Sequence, residues 1–332
     1  MDWSKGFSAE YYMTIVDPVT FLDTERVEIT GGTISRTGSG LRQSADIQCV
    51  DFDPSRECWV RVWLTAAQED DVARVPLFTG LATAPGVEMD GMRAKYPVEC
   101  YSVLKPAEDV LLPRGWFAGA GFNGAETVAD LLSVSPAPIE AEDNAPILSQ
   151  HIIAESGENR LTMANKILTA INWRLVIEGD GTIRICPMPL DVSGIFGVDN
   201  DVIEPRISLT SDWFGCPNVF RAVSGELSIE ARDEDEDSVL SIPTRGREIW
   251  KEETSCKLND GESLEQYAAR RLAEEQAVAY SVKYSRRYNP NINVGDLVRL
   301  HYPSVGLMDI YTVKTQHINL GYGARIEEGV VK

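Results

Sequence analysis

The sequence predicts a mainly β chain with an α+β insert: two similar β-barrel domains accompanied by smaller helix-containing modules. Three observations predict it. Short alternating runs separated by Gly, Pro and Asp turns fill the first hundred residues and return after residue 200. Helical periodicity is confined to two regions, near 126–172 and near 264–277. A β pattern from the first region recurs at the end of the chain. The length of 332 residues fits about two domains, with room for small additional ones.

The first unit is assigned to residues 1–105. Tyr11–Val16 is rich in strand formers and stops at Asp17-Pro18. Arg26–Thr30 alternates, breaks at Gly31-Gly32 and resumes over Thr33–Ser35; Thr37–Gly40 is a flexible turn. Ala45–Val50 alternates again. Cys58–Leu64 is the clearest strand, with Val60, Val62 and Leu64 on one face and Trp59, Arg61 and Trp63 on the other. Leu77–Leu81 and Tyr96–Tyr101 follow. This spacing reads as a barrel or sandwich, not a βαβ fold.

Residues 106–190 read as a small α+β module. Leu111–Trp116 is a turn-rich connector, Glu126–Leu132 a short helix, and 133–144 loop or edge. Arg160–Asn172 is a helix with Leu161, Ala164, Ile167, Leu168 and Ile171 on one stripe. Trp173–Glu178 and Thr182–Cys186 flank Gly179-Asp180-Gly181, and Asp-Gly between alternating runs signals a hairpin.

The second β unit is placed at 191–240 and 286–332, split by a helix-containing insert at 241–285. Val202-Ile203, Arg206–Leu209 and Asn218–Val223 are strand-like. Asp233–Asp237 is a run of five acids that must sit in solvent. Ser263 is an N-cap candidate for a helix over Leu264–Ala277, with Glu265, Arg270 and Arg271 facing water. Strand character resumes at Ala279–Tyr284 and continues at Asp296–Tyr302, Ile310–Thr315 and Arg325–Val331.

One comparison within the chain supports two similar units. Trp59–Leu64 resembles Leu297–Tyr302 at the level of pattern, an echo that any two three-strand meanders can also show. Each is followed by a loop and a second strand, Phe78-Thr79-Gly80 or Tyr311-Thr312-Val313, and then by a third near Val98 or Val330.

Composition excludes several classes. Hydrophobic residues make up 43% and charged residues 25%, which excludes collagenous, coiled-coil and largely disordered chains. A net charge of −20 disfavours phosphate readout, so sequence-specific nucleic-acid binding is not expected. No apolar run approaches a membrane span, and Met1–Lys5 carries no secretory signal pattern. Cys49, Cys58, Cys100, Cys186, Cys216 and Cys256 lack C-x-x-C spacing and read as reduced, mostly buried thiols.

No catalytic motif emerges, so no catalytic, cofactor-binding or metal-ligating residue is assigned. The nucleophile elbow, zinc-helix, phosphate-loop and dinucleotide patterns are all missing. Gly115–Gly124 is glycine-rich without the lysine and hydroxyl of a phosphate loop. His151, His301 and His317 are scattered and read as structural or surface residues. Carboxylates at 69–71, 140–143 and 327–328 are too abundant to single out a glycosidase pair, 199–201 and 233–237 lack calcium-loop spacing, and all read as solvated loops. The Trp59/Arg61/Trp63 face admits a carbohydrate platform, but aromatics and Arg also mark a face packed on another sheet or subunit. Trp59, Arg61 and Trp63, with Arg299 at the equivalent later position, are therefore the candidate interface residues.

Read together, several tracts resemble bacteriophage tail proteins: Leu77–Thr83, Val98–Pro106, and Pro290–Leu300 leading to Ile310–Val313. The tract Val294-Gly295-Asp296-Leu297-Val298-Arg299-Leu300, ahead of a closing β unit, is similar to the baseplate hub (tail hub) family. The resemblance spans nearly the whole chain in order. It implies a homotrimer whose two β-barrels per subunit form a ring of six, matching a sixfold tail tube on one side and a threefold spike or fibre on the other. It implies as partners a tail tube or distal tail protein, a spike or fibre protein and a tape-measure protein, with DNA passing unread through the channel. It implies a virion tail tip location after synthesis in the bacterial host cytoplasm, without membrane insertion. Members often carry an added peptidase or lysozyme domain; this chain ends at Lys332 after the second β unit, which argues against a cell-wall-degrading role. The alternatives are a receptor- or carbohydrate-binding tail protein, a carboxylate-pair glycosidase, and a hub-like spike base of a contractile secretion machine.

Overall fold

Alternation of inward apolar and outward polar side chains builds the first unit. In a computed structural model of the chain, all residues are described except 53–56, 70, 85, 92, 198–202, 212, 255, 257, 259–260 and 278–279. The acidic segment 199–201, Val202, Asp70 and Ala279, all assigned from sequence, lie outside the described residues. The strands are β1 (Ser8–Val16), β2 (Asp23–Thr37), β3 (Gln43–Cys49), β4 (Cys58–Gln68), β5 (Asp71–Ala82), β6 (Glu88–Asp90) and β7 (Arg93–Ser102). Pairing runs β1-β4-β5-β7-β3-β2 and returns to β1 through Met13 opposite Val27, which closes an antiparallel barrel. Met13, Ile34, Ile47, Val60, Val62, Leu64, Leu77, Phe78 and Val98 fill it. Burial of each such side chain contributes about 1.5–3 kcal/mol.

The break expected at Gly31-Gly32 is a bulge inside β2. Ile29 faces Cys49, while Gly31 already faces Gln48. Gly32 has φ +147°, and a Cβ there would lie 2.3 Å from the Asp46 carbonyl oxygen. Glycine thus lets the strand turn a corner without ending.

Two longer helices and a hairpin dominate the segment after the first barrel. It contains α1 (Lys105–Asp109), β8 (Phe117–Ala118), α2 (Gly124–Leu132), β9 (Ile139–Ala141), β10 (Ile152–Ile153), α3 (Arg160–Ala170), β11 (Trp173–Ile177) and β12 (Ile183–Pro187). Asn123 and Asn159 cap the two longer helices, accepting from the Glu126 and Thr162 amides at 3.1 and 2.8 Å. The full stripe of α3 (Leu161, Ala164, Ile167, Leu168), with Ile171 just beyond it, is buried against Leu175, Ile177, Ile183 and Ile185 of the β11–β12 hairpin. The stretch 133–144 supplies β9, an edge strand parallel to β12.

The rest of the chain gives β13 (Val192–Gly197), β14 (Ile203–Ser211), β15 (Val219–Ser224), β16 (Leu227–Arg232), α4 (Ile242–Arg245), β17 (Trp250–Thr254), α5 (Leu264–Ala277), β18 (Tyr280–Arg287), β19 (Leu297–Tyr302), β20 (Leu307–Asn319) and β21 (Arg325–Val331). Ser263 caps α5 in a reciprocal box, its hydroxyl accepting from the Gln266 amide while Gln266 Oε1 accepts from the Ser263 amide. Arg270 and Arg271, expected to face water, are partly buried in ion pairs with Glu262, Glu253 and Glu274. Glu234–Asp237 are exposed, as like charges require, whereas Asp233 accepts from Ser238 Oγ and Gln276 Nε2.

Sheet pairing moves two of the expected boundaries. The strands at 219–224 and 227–232, placed by sequence in the second β unit, form a separate sheet with β17, covered by α5 through Phe220, Ala222, Tyr267 and Leu272. Conversely, β18, placed in the insert, is a barrel strand between β21 and β14. A strand's own pattern reports its conformation; its sheet is set by distant partners.

The second β unit pairs in the order β13-β19-β20-β21-β18-β14. Numbering the main strands of each unit one to six in chain order, with the short β6 left aside, both read 1-4-5-6-3-2. The units differ in the first strand: β1 runs antiparallel to β4, while β13 runs parallel to β19. Among the described residues, no pairing joins β13 to β14. The two units fuse through β2, whose residues 33–37 pair with β20. The result is one 13-stranded sheet. Val282, Tyr284, Val298, Leu300, Val313 and Val330 form the core of the second unit.

Candidate functional site

The two equivalent fourth strands, β4 and β19, carry the sequence-nominated residues. Val60 and Val62 on β4, and Val298 and Leu300 on β19, are buried in their respective cores. The intervening residues therefore face outward. On β4 the outward row is Thr14–Arg61–Thr79, three residues in register across β1, β4 and β5. On β19 the corresponding row is Ile195–Arg299–Ile310, across β13, β19 and β20.

These rows have different fates. Arg61 is only 7% exposed. Its Nη1 pairs with Asp23 Oδ1 at 2.7 Å, Nε donates to Thr79 Oγ1 at 3.0 Å, and Nη2 donates to the carbonyls of Asp180 and Phe21 at 2.9 and 3.3 Å. Thr79 Oγ1 in turn donates to the Gly179 carbonyl at 2.9 Å. The tip of the β11–β12 hairpin is thus bonded onto the first barrel. Gly179 makes this approach possible, since a Cβ there would lie 1.9 Å from the Pro76 carbonyl oxygen. Trp59 is buried against the same module. Trp59 and Arg61 therefore pack against another part of the same chain. With Trp59 covered, the two tryptophans form no open platform for a sugar.

Trp63 remains half-exposed. It stacks on Tyr12 at 6.5 Å, the Arg74 guanidinium lies 3.9 Å from its ring centroid, and its Nε1 donates to Thr14 Oγ1. Arg26 covers Tyr12 at 4.1 Å. This Arg–aromatic ladder is the outer surface of the first barrel.

The β19 face is open. Arg299 and His301 are exposed, and around them lie Ile195, Met308 and Ile310, which are 60%, 63% and 37% exposed. Among the described residues, no hairpin is bonded onto this row as β11–β12 is onto the first barrel. Apolar side chains on an outward sheet face are the mark of a contact surface.

A polar cluster that sequence reasoning missed lies inside the second unit. Arg286 and Glu328 form a fully buried, two-pronged ion pair, and Gln316 Nε2 donates to Glu328 Oε1 at 2.7 Å. Burial pushes the neighbouring Tyr284 hydroxyl well above its ordinary pKa. The signal was present as parity: Ile326, Glu328 and Val330 share the inward face of β21.

The histidines are spread apart. His151 Nδ1 accepts from the Ala120 amide, His301 is exposed on β19, and His317 meets Ser35 Oγ at the seam between the units. Among the described residues, no group of three His, Cys, Asp or Glu side chains has metal-binding geometry. Cys49, Cys100, Cys186, Cys216 and Cys256 are buried, and burial pushes the Cys49 thiol up to about 12. Among the described residues, no helix is long and apolar enough to cross a membrane.

No protein-family model matches the chain, and no curated protein matches it. Solved structures do. A tail protein from Neisseria meningitidis MC58 matches over 98% of this chain and 96% of its own, with 13% identity and a TM-score of 0.71. The 43 kDa tail protein of prophage MuSo2 from Shewanella oneidensis matches over 97% of both chains, with 13% identity and a TM-score of 0.67. An E. coli type VI secretion component, described as structurally similar to the T4 bacteriophage tail proteins gp27 and gp5, matches over 92% of this chain and 73% of its own. Its identity is 8% and its TM-score 0.54. At these identities the likeness is one of architecture, and this chain has the fold of those phage tail proteins from end to end.

Proposed function

We propose that this chain is a structural protein of a phage tail tip: a baseplate hub that assembles as a homotrimer and adapts a sixfold tail tube to a threefold spike or fibre. The observation that carries this reading is the strand order 1-4-5-6-3-2, present twice in one chain. Three copies of a chain with two like units present six like units in a ring, so a threefold assembly can meet a sixfold one. The tail-protein fold supports the setting. Its work is done by faces and sheet edges, without a catalytic centre or cofactor.

In this reading the Ile195–Arg299–Ile310 row, with Met308, is a contact between subunits. On the first barrel the equivalent row is covered by the chain's own hairpin; on the second it awaits a neighbour. The remaining partners are a tail tube or distal tail protein, a spike or fibre protein and a tape-measure protein. The net charge of −20 suits a wall past which DNA slides without sticking, because like charges repel along the passage.

Light scattering on the purified protein tests the assembly, and electron microscopy tests its shape. The expected result is three times the chain mass of 36.7 kDa and a ring of six similar lobes. A particle that stays monomeric at every concentration, alone and with its tail-tube partner, overturns the adaptor.

A further inference from the structure

A cavity of about 280 Å³ lies where the first barrel, the α+β module and the second β unit meet. Its charged lining is wholly cationic: Arg36, Arg42, Arg174 and Lys314, with no carboxylate, in a chain of net charge −20. Each of the three units contributes at least one of these groups.

Two of the four are buried or half-buried guanidiniums that donate to neutral groups. Arg36 is 4% exposed; its Nη2 donates to the Leu77 carbonyl at 2.6 Å and its Nη1 to Asn293 Oδ1 at 3.3 Å. Arg42 donates to the Gly38 carbonyl and to Asn165 Oδ1, both at 2.7 Å. Arg174 is held by Asp296 at 2.9 Å, and Asp296 faces the adjoining cleft. Lys314 stands exposed at the rim. Among the described residues, the Nε groups of Arg36, Arg42 and Arg174 find no acceptor. Buried charge is ordinarily paired, because an unpaired ion in a low-dielectric site costs several kcal/mol. Burial already pulls the Arg42 guanidinium down to about 10.

We propose that this junction cavity binds a small tetrahedral oxyanion of the phosphate or sulfate class, which supplies counter-charge to the guanidiniums and ties the three units together. Guanidiniums suit oxyanions, to which they donate several hydrogen bonds at once. The space is sufficient, being several times the roughly 30 Å³ that one water occupies in the liquid.

The test uses the full chain, purified in phosphate-free buffer. Sodium phosphate is titrated against sodium chloride at matched ionic strength, and both heat of binding and melting temperature are read. Saturable binding with a rise in Tm is expected, because a ligand of the folded state stabilises it by mass action. Lys314→Gln, a rim change that leaves the fold alone, should weaken phosphate about tenfold, as loss of one charge-assisted hydrogen bond does. Arg36→Gln, if it folds by circular dichroism, should abolish binding. A Tm that follows ionic strength alone, or unaltered phosphate affinity in Lys314→Gln, overturns the site. Sodium sulfate, titrated in parallel, should compete with phosphate for the same site; sulfate that leaves phosphate binding untouched overturns the oxyanion site. Competition by an oligonucleotide with hydroxyl ends would assign the site to a nucleic-acid backbone and overturn the free-anion reading.

Discussion

Arg61 and Arg299 occupy the same position on the fourth strand of two like units, yet Arg61 is buried under the chain's own hairpin and Arg299 faces solvent. The chain thus uses one site twice. The first copy docks the chain's own hairpin, and the second faces solvent.

Arg61→Ala should therefore destabilise the protein by about 1–3 kcal/mol, because it leaves Thr79 and the Phe21 and Asp180 carbonyls without their donor, while Asp23 keeps Arg74 at 3.4 Å. Arg299→Ala should change stability by no more than about 0.5 kcal/mol, as for an exposed substitution without special contacts. Urea denaturation of the two variants measures the asymmetry. Similar losses in both would contradict it.

Gly179→Ala should loosen the hairpin from the first barrel, since the added methyl collides with the Pro76 carbonyl backbone. An overpacking cost of about 1–3 kcal/mol is expected. Faster amide exchange at 178–182 and easier proteolytic cleavage there would report it, while α3 should keep its protection.

The Arg286–Glu328 pair should behave as a buried unit. Glu328→Ala should cost about 3–5 kcal/mol by leaving Arg286 unpaired. The double variant Arg286→Met, Glu328→Leu should recover most of that loss, because neither desolvated charge remains. A double variant as unstable as the single one would mean that the wider network, including Gln316, depends on the charges themselves.

Stability should fall at alkaline pH from the first barrel. Burial raises the Cys49 thiol from 9.0 to about 12 and the Tyr11 hydroxyl from 10.0 to about 12. Both groups stay protonated in the folded chain while the unfolded chain ionises. Their contribution is complete below about pH 9 and is lost as pH rises towards 12. Cys49→Ala should flatten the slope that begins near pH 9 in denaturation midpoints recorded from pH 7 to 11.

On the β19 face, Met308→Lys or Arg299→Glu should leave the circular dichroism spectrum and melting of the subunit unchanged and reduce its oligomeric mass. Retention of the full assembly in both variants would move the subunit contact elsewhere.

The sequence by itself determined the kind of each element. The alternation of Cys58–Leu64, the stripe of α3, the Asp180-Gly181 hairpin and the Ser263 cap are local signals, written within a few residues, and the structure repeats them nearly to the residue. The likeness of Trp59–Leu64 to Leu297–Tyr302 was legible too, and these prove to be equivalent strands of the two units. Tertiary structure alone decided which strands pair: that β15 and β16 leave the barrel for α5, that β18 joins it, and that Gly31-Gly32 bends a strand where the sequence suggested a break. It alone decided that Arg61 is covered while Arg299 is not, and that Arg36, Arg42, Arg174 and Lys314 converge on one cavity. The physical reason is range. Conformation is set by neighbours along the chain, whereas pairing, burial and the meeting of charges depend on residues far apart in sequence, whose closeness no local pattern encodes.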